Sequence, residues 1–417
     1  MKVLSIFLLI ISSVFSQQQQ QQPIPFFADE VAFAGYGARA KGMGNAFTAV
    51  ADDATAIAWN PAGLTNLYGT ELSITGRYRT GSIEYDVSGL EGFDTFDASE
   101  KGAMKLDFAS LVLPAKFEFA TFVFGGAYRS LYDWDTERTV TWEKQAFNKF
   151  SAEHVYTREG GVHAWTLSAG MSLLDFVAAG ISFNKIGGTI NEFSTNKQMR
   201  DGITTSEQKS NTFEHSYSGQ FLDVGALVKF GDVLNFGFKA SLPYEISAET
   251  DIKELTLDKK PEFHRDVPRL ISLGAAIRFS DTSLLSADLR FQKWEDVRIS
   301  TTSGERFFNE INLNSFHIGY ESLSLNTETN SSSAWRLGFF TKPQLSFDLE
   351  EDKIISYGVI TAGYGITNDI FSLDFSAQWE IQEDKQKFRD LNSNEVIVPV
   401  KGNIFHLNAT FIFYLSN

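Results

Sequence analysis

The sequence predicts an all-β chain: a transmembrane antiparallel β-barrel of about fourteen strands, preceded by an N-terminal segment. Three observations carry that prediction. Many segments alternate apolar and polar residues with period two, which collects the apolar side chains of a strand on one face. The segments are as long as, or longer than, the roughly 9–11 tilted residues that cross a bilayer as a strand. The links between them alternate between short turns and long polar stretches, the asymmetry of a barrel with tight periplasmic turns and long outer loops.

The chain of 417 residues opens on Lys2 and then runs apolar from Val3 to Phe15, broken only by Ser5, Ser12 and Ser13. A basic start, a short apolar core and small residues after it describe a secretory signal peptide, here expected over residues 1–16. The glutamine run Gln17 to Gln22 follows, a polar low-complexity stretch. With it, residues 17–67 are expected to form the polar start and the plug, and residues 68–417 the barrel. There is no cysteine, which removes disulfides, Cys-ligated zinc and thiol catalysis together. A net charge of −16 argues against nucleic acid as a partner, because phosphates need clustered Lys and Arg.

Alternation is strict in the best segments. Leu234, Phe236, Phe238, Ala240 and Leu242 share one face, and Asn235, Gly237, Lys239 and Ser241 the other. Ile271 to Phe279, Leu285 to Gln292 and Phe405 to Phe413 repeat the pattern. Short links at Leu174-Asp175, Gly231-Asp232, Ser280 to Thr282 and Thr367 to Asp369 alternate with polar stretches near 85–103, 131–160, 189–212, 248–266 and 384–402. Following that alternation places strands at about 69–84, 104–114, 117–130, 161–173, 176–188, 214–230, 233–247, 267–279, 283–299, 311–323, 333–345, 354–366, 370–383 and 403–415. The strand at 311–323 is required by parity, with 324–332 as a long periplasmic turn. Periodicity alone also fits a soluble barrel with the apolar faces inward.

The segment from Gly37 to Ala54 contains Ala51-Asp52-Asp53-Ala54, and Asn60-Pro61-Ala62-Gly63 follows. This resembles the N-terminal plug of the FadL-like family of outer-membrane transporters for long-chain fatty acids and other hydrophobic compounds. Pro268 to Gly274, Ser286 to Asp288 with Trp294, and Trp335 to Gly338 resemble later parts of that family's barrel. The resemblance implies a fourteen-stranded barrel with a lumenal plug, passive uptake of a hydrophobic cargo, a lipid or small-molecule ligand, outer-membrane lipids around a monomer, and no cofactor. The wording Ala38-Arg-Ala-Lys-Gly-Met-Gly44 is equally similar to PorV-like relatives, which implies an alternative: a non-transporting barrel acting with secretion-system proteins or in surface attachment.

Other patterns have a bland reading beside a functional one. Gly35-Tyr-Gly37-Ala-Arg-Ala40 fits a dinucleotide fingerprint formally, yet no βαβ unit surrounds it. Asp52 and Asp53 are adjacent and lack a His cluster, so hydrogen bonding to plug backbone or lumenal Arg is preferred to metal binding. Asn60-Pro61-Ala62-Gly63 is either a simple turn or the element holding the plug to the wall. The six histidines are scattered and no G-x-S-x-G occurs, so no catalytic site is expected. Lys239 and Arg290 lie on polar faces, with Asp288 two residues before Arg290. Such cations either form salt bridges or pair with a ligand carboxylate inside the lumen. Gly125-Gly126, within the third strand, suggests a bulge or a close backbone approach. By resemblance, that position implies an inward kink forming a lateral gate.

Overall fold

The computed structural model describes residues 35–89, 95–102, 104–117, 120–133, 136–145, 149–210, 212–253, 260–294, 297–301, 304–307, 312–347, 354–389 and 395–415. The expected signal peptide and the glutamine run lie outside the described residues. Fourteen strands close into one antiparallel barrel. They are β1 (Thr70–Tyr85), β2 (Thr95–Gly102 and Lys105–Lys116), β3 (Thr121–Asp133 and Thr136–Gln145), β4 (Lys149–Leu174) and β5 (Val177–Arg200). Next come β6 (Ile203–Lys209 and Phe213–Phe230), β7 (Leu234–Ser241 and Tyr244–Ile252), β8 (Glu262–Val267 and Leu270–Ser280), β9 (Ser283–Lys293 and Arg298–Thr301) and β10 (Gly304–Phe307 and Asn312–Asn326). β11 (Ser331–Phe347), β12 (Ile354–Thr367), β13 (Phe371–Arg389) and β14 (Glu395–Leu415) complete the wall. β14 pairs with β1 from Thr70↔Leu415 to Tyr85↔Val400, so the sheet closes on itself.

The faces are inverted relative to a soluble barrel. Phe236, Leu337, Phe375 and Leu407 point outward and are exposed, whereas Ser182, Asn184, Asp223, Asp288, Glu321 and Asp374 are buried on the inner face. Apolar surface turned outward around a polar interior is stable only where the surroundings are themselves apolar, and this decides for lipid over water. Aromatic residues gather near the short-turn end, with ring pairs Phe117–Phe122, Phe230–Phe236, Trp335–Tyr364 and Phe371–Phe411. Such rings suit the boundary between hydrocarbon and headgroups.

The parity argument for a strand near 311–323 holds, but the turn after it is shorter than 324–332. β10 continues to Asn326 and β11 starts at Ser331, because Asn326 Oδ1 accepts from the Glu328 and Thr329 amides and Asn330 takes a left-handed φ of 46°. At the other end the expected polar loops are largely paired strand. β4 is 26 residues long and β5 is 24, well beyond what a bilayer requires. Cross-strand ion pairs such as Lys197–Glu153 support these extensions, and they look like loops in sequence because both of their faces meet water.

Candidate functional site in the lumen

The residues before β1 lie inside the barrel. They form two short helices, α1 (Ala38–Gly42) and α2 (Ala56–Trp59), and a 3₁₀ turn, Pro61–Asn66. Helices this short are not stable alone, so packing must hold them. Ala38, Ala40, Ala46, Ala49, Ala51, Ala54, Ala56 and Ala62 are completely buried, and their small size lets backbone approach wall closely. The wall answers with glycines on its inner face, several directly paired across strands: Gly170↔Gly180, Gly180↔Gly225, Gly237↔Gly274 and Gly319↔Gly338. A Cβ at Gly180 or Gly225 would overlap the Asn60-Pro61-Ala62 turn, at Gly237 it would overlap Thr48, and at Gly319 it would overlap Met43. This glycine belt, spread over β4 to β11, is where the N-terminal segment is seated.

Charged wall residues then fix the segment's polar backbone. Asp288 Oδ2 accepts from the amides of Phe47 and Thr48 at 3.0 Å and from the Thr48 hydroxyl at 2.6 Å. Arg290 donates to the Asn45 carbonyl at 2.6 Å and lies 5.0 Å from the Trp59 ring centre. Lys239 donates to the Ala58 carbonyl at 2.8 Å and pairs with Asp223 at 3.2 Å. Neither Lys239 nor Arg290 faces open lumen, since each is buried against the segment. The salt-bridge reading of these cations holds, for Lys239 with Asp223 and for Arg290 with Asp288 at 3.9 Å, but neither reading foresaw the clamping of the segment's backbone, because the alternation places a cation on the inner face without saying what occupies that face. A legible signal was present: Lys239 follows the belt residue Gly237 by two, and Asp288 pairs directly with the belt residue Gly274.

The motif residues of the segment are hydrogen-bonded rather than arranged for a metal. Asp52 pairs with Arg39 at 2.5 Å, and Arg39 continues to Glu321 at 2.8 Å. Glu321 also meets Arg336, which reaches Asp374, both at 2.6 Å, so a chain of alternating charges runs from the segment into β10, β11 and β13. Asp53 accepts from the Thr55 amide at 2.8 Å and from its hydroxyl. Burial raises the Asp53 carboxyl to about 6, against the opposing pull of Arg39. Asn60 accepts from the Ala62 amide, capping the 3₁₀ turn with Pro61 at its start, and donates to the carbonyls of Thr48 and of wall residue Ala226. Turn and wall anchor are therefore one element. Ala62 and Gly63 are buried, and a Cβ at Gly63 would overlap Ala51. Among the described residues no group of three or more His, Asp or Glu is placed to hold a metal.

Gly125 and Gly126 require a correction. The ladder through them is uninterrupted on both sides, Val112↔Gly125 and Leu111↔Gly126 on β2, and Gly125↔Ser168 and Gly126↔Leu167 on β4. There is no bulge and no opening there. The glycines serve close approach on one face only: a Cβ at Gly125 would meet Ile57 at 2.7 Å, whereas one at Gly126 would have ordinary room. The expected kink fails because two adjacent glycines point to opposite faces, and only the inner one has a neighbour to accommodate.

Beyond the N-terminal segment, toward the extended ends of the strands, the inner face changes character. Leu131, Tyr132, Val162, Ile186, Ile190, Tyr217, Phe221, Ile246, Phe263, Val267, Trp294 and Leu313 form one buried apolar cluster contributed by β3 to β10. Phe221 stacks on Tyr244 at 4.7 Å, and the Arg265 guanidinium lies 4.4 Å from the Trp294 ring centre. Water-filled barrels line this region with polar groups. Here an apolar cluster lines the side formed by β3 to β10.

No protein-family model matches the chain, and no curated protein matches it in sequence. Its shape does have counterparts: the closed fourteen-stranded wall is the fold of FadL-type hydrophobic-compound channels. A FadL homologue from Pseudomonas aeruginosa superposes with a TM-score of 0.59 at 14% identity, covering 93% of this chain and 100% of that one. The toluene transporters TbuX of Ralstonia pickettii and TodX of Pseudomonas putida each superpose with a TM-score of 0.57 at 12% identity, covering 92% of this chain and 99% of theirs.

Proposed function

We propose that this chain is an outer-membrane channel for passive uptake of hydrophobic compounds, most simply long-chain fatty acids. The observation that carries the reading is the apolar cluster in the lumen on the side of β3 to β10. A polar solute gains nothing from such a cluster. An apolar one gains about 25 cal/mol for each Å² removed from water. The extended hairpins gather the compound, the cluster receives it, and the N-terminal segment acts as a plug that bars straight passage to the periplasm. Lys239, Arg290 and Asp288 are the clamps of that plug, so a carboxylate ligand would reach the two cations only after the plug had moved. Release is sideways into the membrane, which suits a compound poorly soluble in the periplasm. The likeness in fold to a FadL homologue and to toluene transporters agrees with this class of cargo. No energy source or cofactor enters the scheme.

Uptake of radiolabelled oleate and toluene by cells with and without the gene is the test. The proposal expects faster entry of one or both with the gene, and unchanged entry of a polar solute of similar size. Equal uptake in the two strains, with loss of secreted proteins on deletion, would replace it with the secretion-partner reading.

A further inference from the structure

The outward face of β3 to β6 carries a group of polar and aromatic residues that passage through the lumen does not use. One ladder row runs Tyr128↔Trp165, Trp165↔Lys185 and Lys185↔Gln220 across these four strands. Its neighbours along the strands, Ala164, Asn184, Ile186 and Phe221, are buried toward the lumen, so the row itself points out. Trp165 is 60% exposed, and Lys185 and Gln220 are exposed as well. Counted from the short turn between them, Trp165 is the tenth residue of β4 and Lys185 the ninth of β5. A tilted strand of roughly 9–11 residues leaves the hydrocarbon at that height. Below the row, Leu167, Ile181 and Phe183 face lipid.

Above the row the outward surface is indented. Gly187 lies between His163 on β4 and Ser218 on β6, and Thr189 and Ser216 follow as the next outward pair. Three rings wall the notch on one side: Tyr128 and His163 stack at 5.3 Å, and Trp165 stands edge-on to them at 5.5 and 6.4 Å. A glycine inside a strand marks a bulge, the close approach of another backbone, or a ligand. Neither ladder is bulged at Gly187, and a Cβ there would meet nothing nearer than His163 Nε2, at 3.8 Å. The wall therefore has no need of glycine at this position, unlike Gly180 and Gly237, whose Cβ would overlap the N-terminal segment. Lys185 is as unusual. No carboxylate among the described residues pairs with it, although a cation on the lipid-facing surface is costly without a counter-charge.

We propose that this notch binds the headgroup of a phosphorylated glycolipid of the outer leaflet, with phosphate on Lys185 and sugar against His163 and Trp165. A phosphate gives Lys185 a charge-assisted bond. A sugar ring turns its C–H face to the aromatic rings and its hydroxyls to Thr189, Ser216 and Ser218. The acyl chains then lie over Leu167, Ile181 and Phe183. An anionic phospholipid would meet the cation and the apolar band but leave the rings and hydroxyls unused. The site rests on the outer-membrane reading above and is independent of what the barrel carries.

Native mass spectrometry of the purified barrel in detergent tests the site, with a bisphosphorylated, acylated glucosamine disaccharide as the probe. The same lipid without phosphates, and phosphatidylglycerol, are the comparisons. The wild type should bind the phosphorylated glycolipid about tenfold more tightly than either. Lys185→Gln should abolish the preference for phosphate, and Lys185→Arg should keep it. Gly187→Phe, which fills the notch, should weaken both glycolipids by about the same factor and leave phosphatidylglycerol within about twofold. Both positions are on the surface, and wild-type melting temperatures show that the variants fold. Equal affinity of the wild type for phosphatidylglycerol and the glycolipid would overturn the site, as would unchanged glycolipid binding in either Lys185→Gln or Gly187→Phe. Oleate uptake by cells producing Gly187→Phe should equal that of the wild type. Failure of the binding test therefore leaves the channel standing, and absence of uptake by the wild type leaves the lipid site standing.

Discussion

Replacing Asp288 by Ala is the sharpest probe of how the N-terminal segment is held. In the native barrel one carboxylate oxygen takes the Phe47 and Thr48 amides and the Thr48 hydroxyl, and Arg290 lies 3.9 Å away. Asp288 is buried, as are Phe47 and Thr48, so water does not replace the lost acceptor. Each charge-assisted bond is worth about 1.5–3 kcal/mol, and an orphaned buried donor costs about 1–3 kcal/mol. These figures overlap and cannot be summed. Removing one member of a buried charged set typically costs about 3–5 kcal/mol. That is a hundredfold to a few-thousandfold change in the opening equilibrium at about 1.4 kcal/mol per decade. Amide hydrogen exchange across residues 35–67 reads that opening directly, while the exchange of β1 and β14 reports on the barrel. Asp288→Ala should speed exchange in the segment by that factor and leave the barrel ladders protected. Asp288→Asn, which keeps an acceptor, should cost less, about 1–2 kcal/mol. Unchanged exchange of the Phe47 and Thr48 amides in Asp288→Ala would refute the reasoning.

Further outcomes follow from the same contacts. Lys239→Met and Arg290→Met should each loosen the segment in hydrogen exchange near Ala58 and Asn45, and should leave the affinity of the purified barrel for oleate within about twofold; a large loss of affinity without loosening would return them to a ligand-binding role. Gly180→Val should dislodge the Pro61 turn, because its Cβ overlaps Pro61, whereas Gly126→Val should be silent in both uptake and exchange. Asp53, raised to about 6, favours the docked segment when protonated. That contribution is fully present below its ordinary value of 3.8 and is lost as pH rises through about 6. Segment protection should therefore fall between pH 4 and about 6.5 by up to roughly 3 kcal/mol, and Asp53→Asn should flatten the profile.

The barrel was legible because its signal is redundant. Each strand repeats the alternation, and the turn alternation tests the count independently, so β10 could be inferred from parity before its residues argued for it. Strand lengths beyond the membrane were not legible, since a β-ribbon with water on both faces has no apolar side to mark it. Lys239 and Arg290 were correctly placed on the inner face, and their pairing with Asp223 and Asp288 fits one of the two readings, but their bonds to the backbone carbonyls of Ala58 and Asn45 span 181 and 245 residues, and side-chain pattern carries no record of those. The bulge sought at two adjacent glycines is absent there, whereas β7 breaks its pairing with both β6 and β8 around Pro243. Proline inside a strand is the stronger mark of a broken ladder, because it deletes a donor, whereas glycine only permits a bend. The sequence run 233–247 contains that proline, and the structure divides the strand there.

The central claim is that an apolar compound occupies the lumen of this barrel. Mass spectrometry of material extracted from the purified protein tests it most directly. The account predicts fatty acid or another hydrophobic compound in near-equimolar amount, displaced when Phe221 and Trp294 in the apolar cluster are replaced by Asp. A barrel that carries no such compound, and that copurifies instead with a large protein assembly, would contradict it.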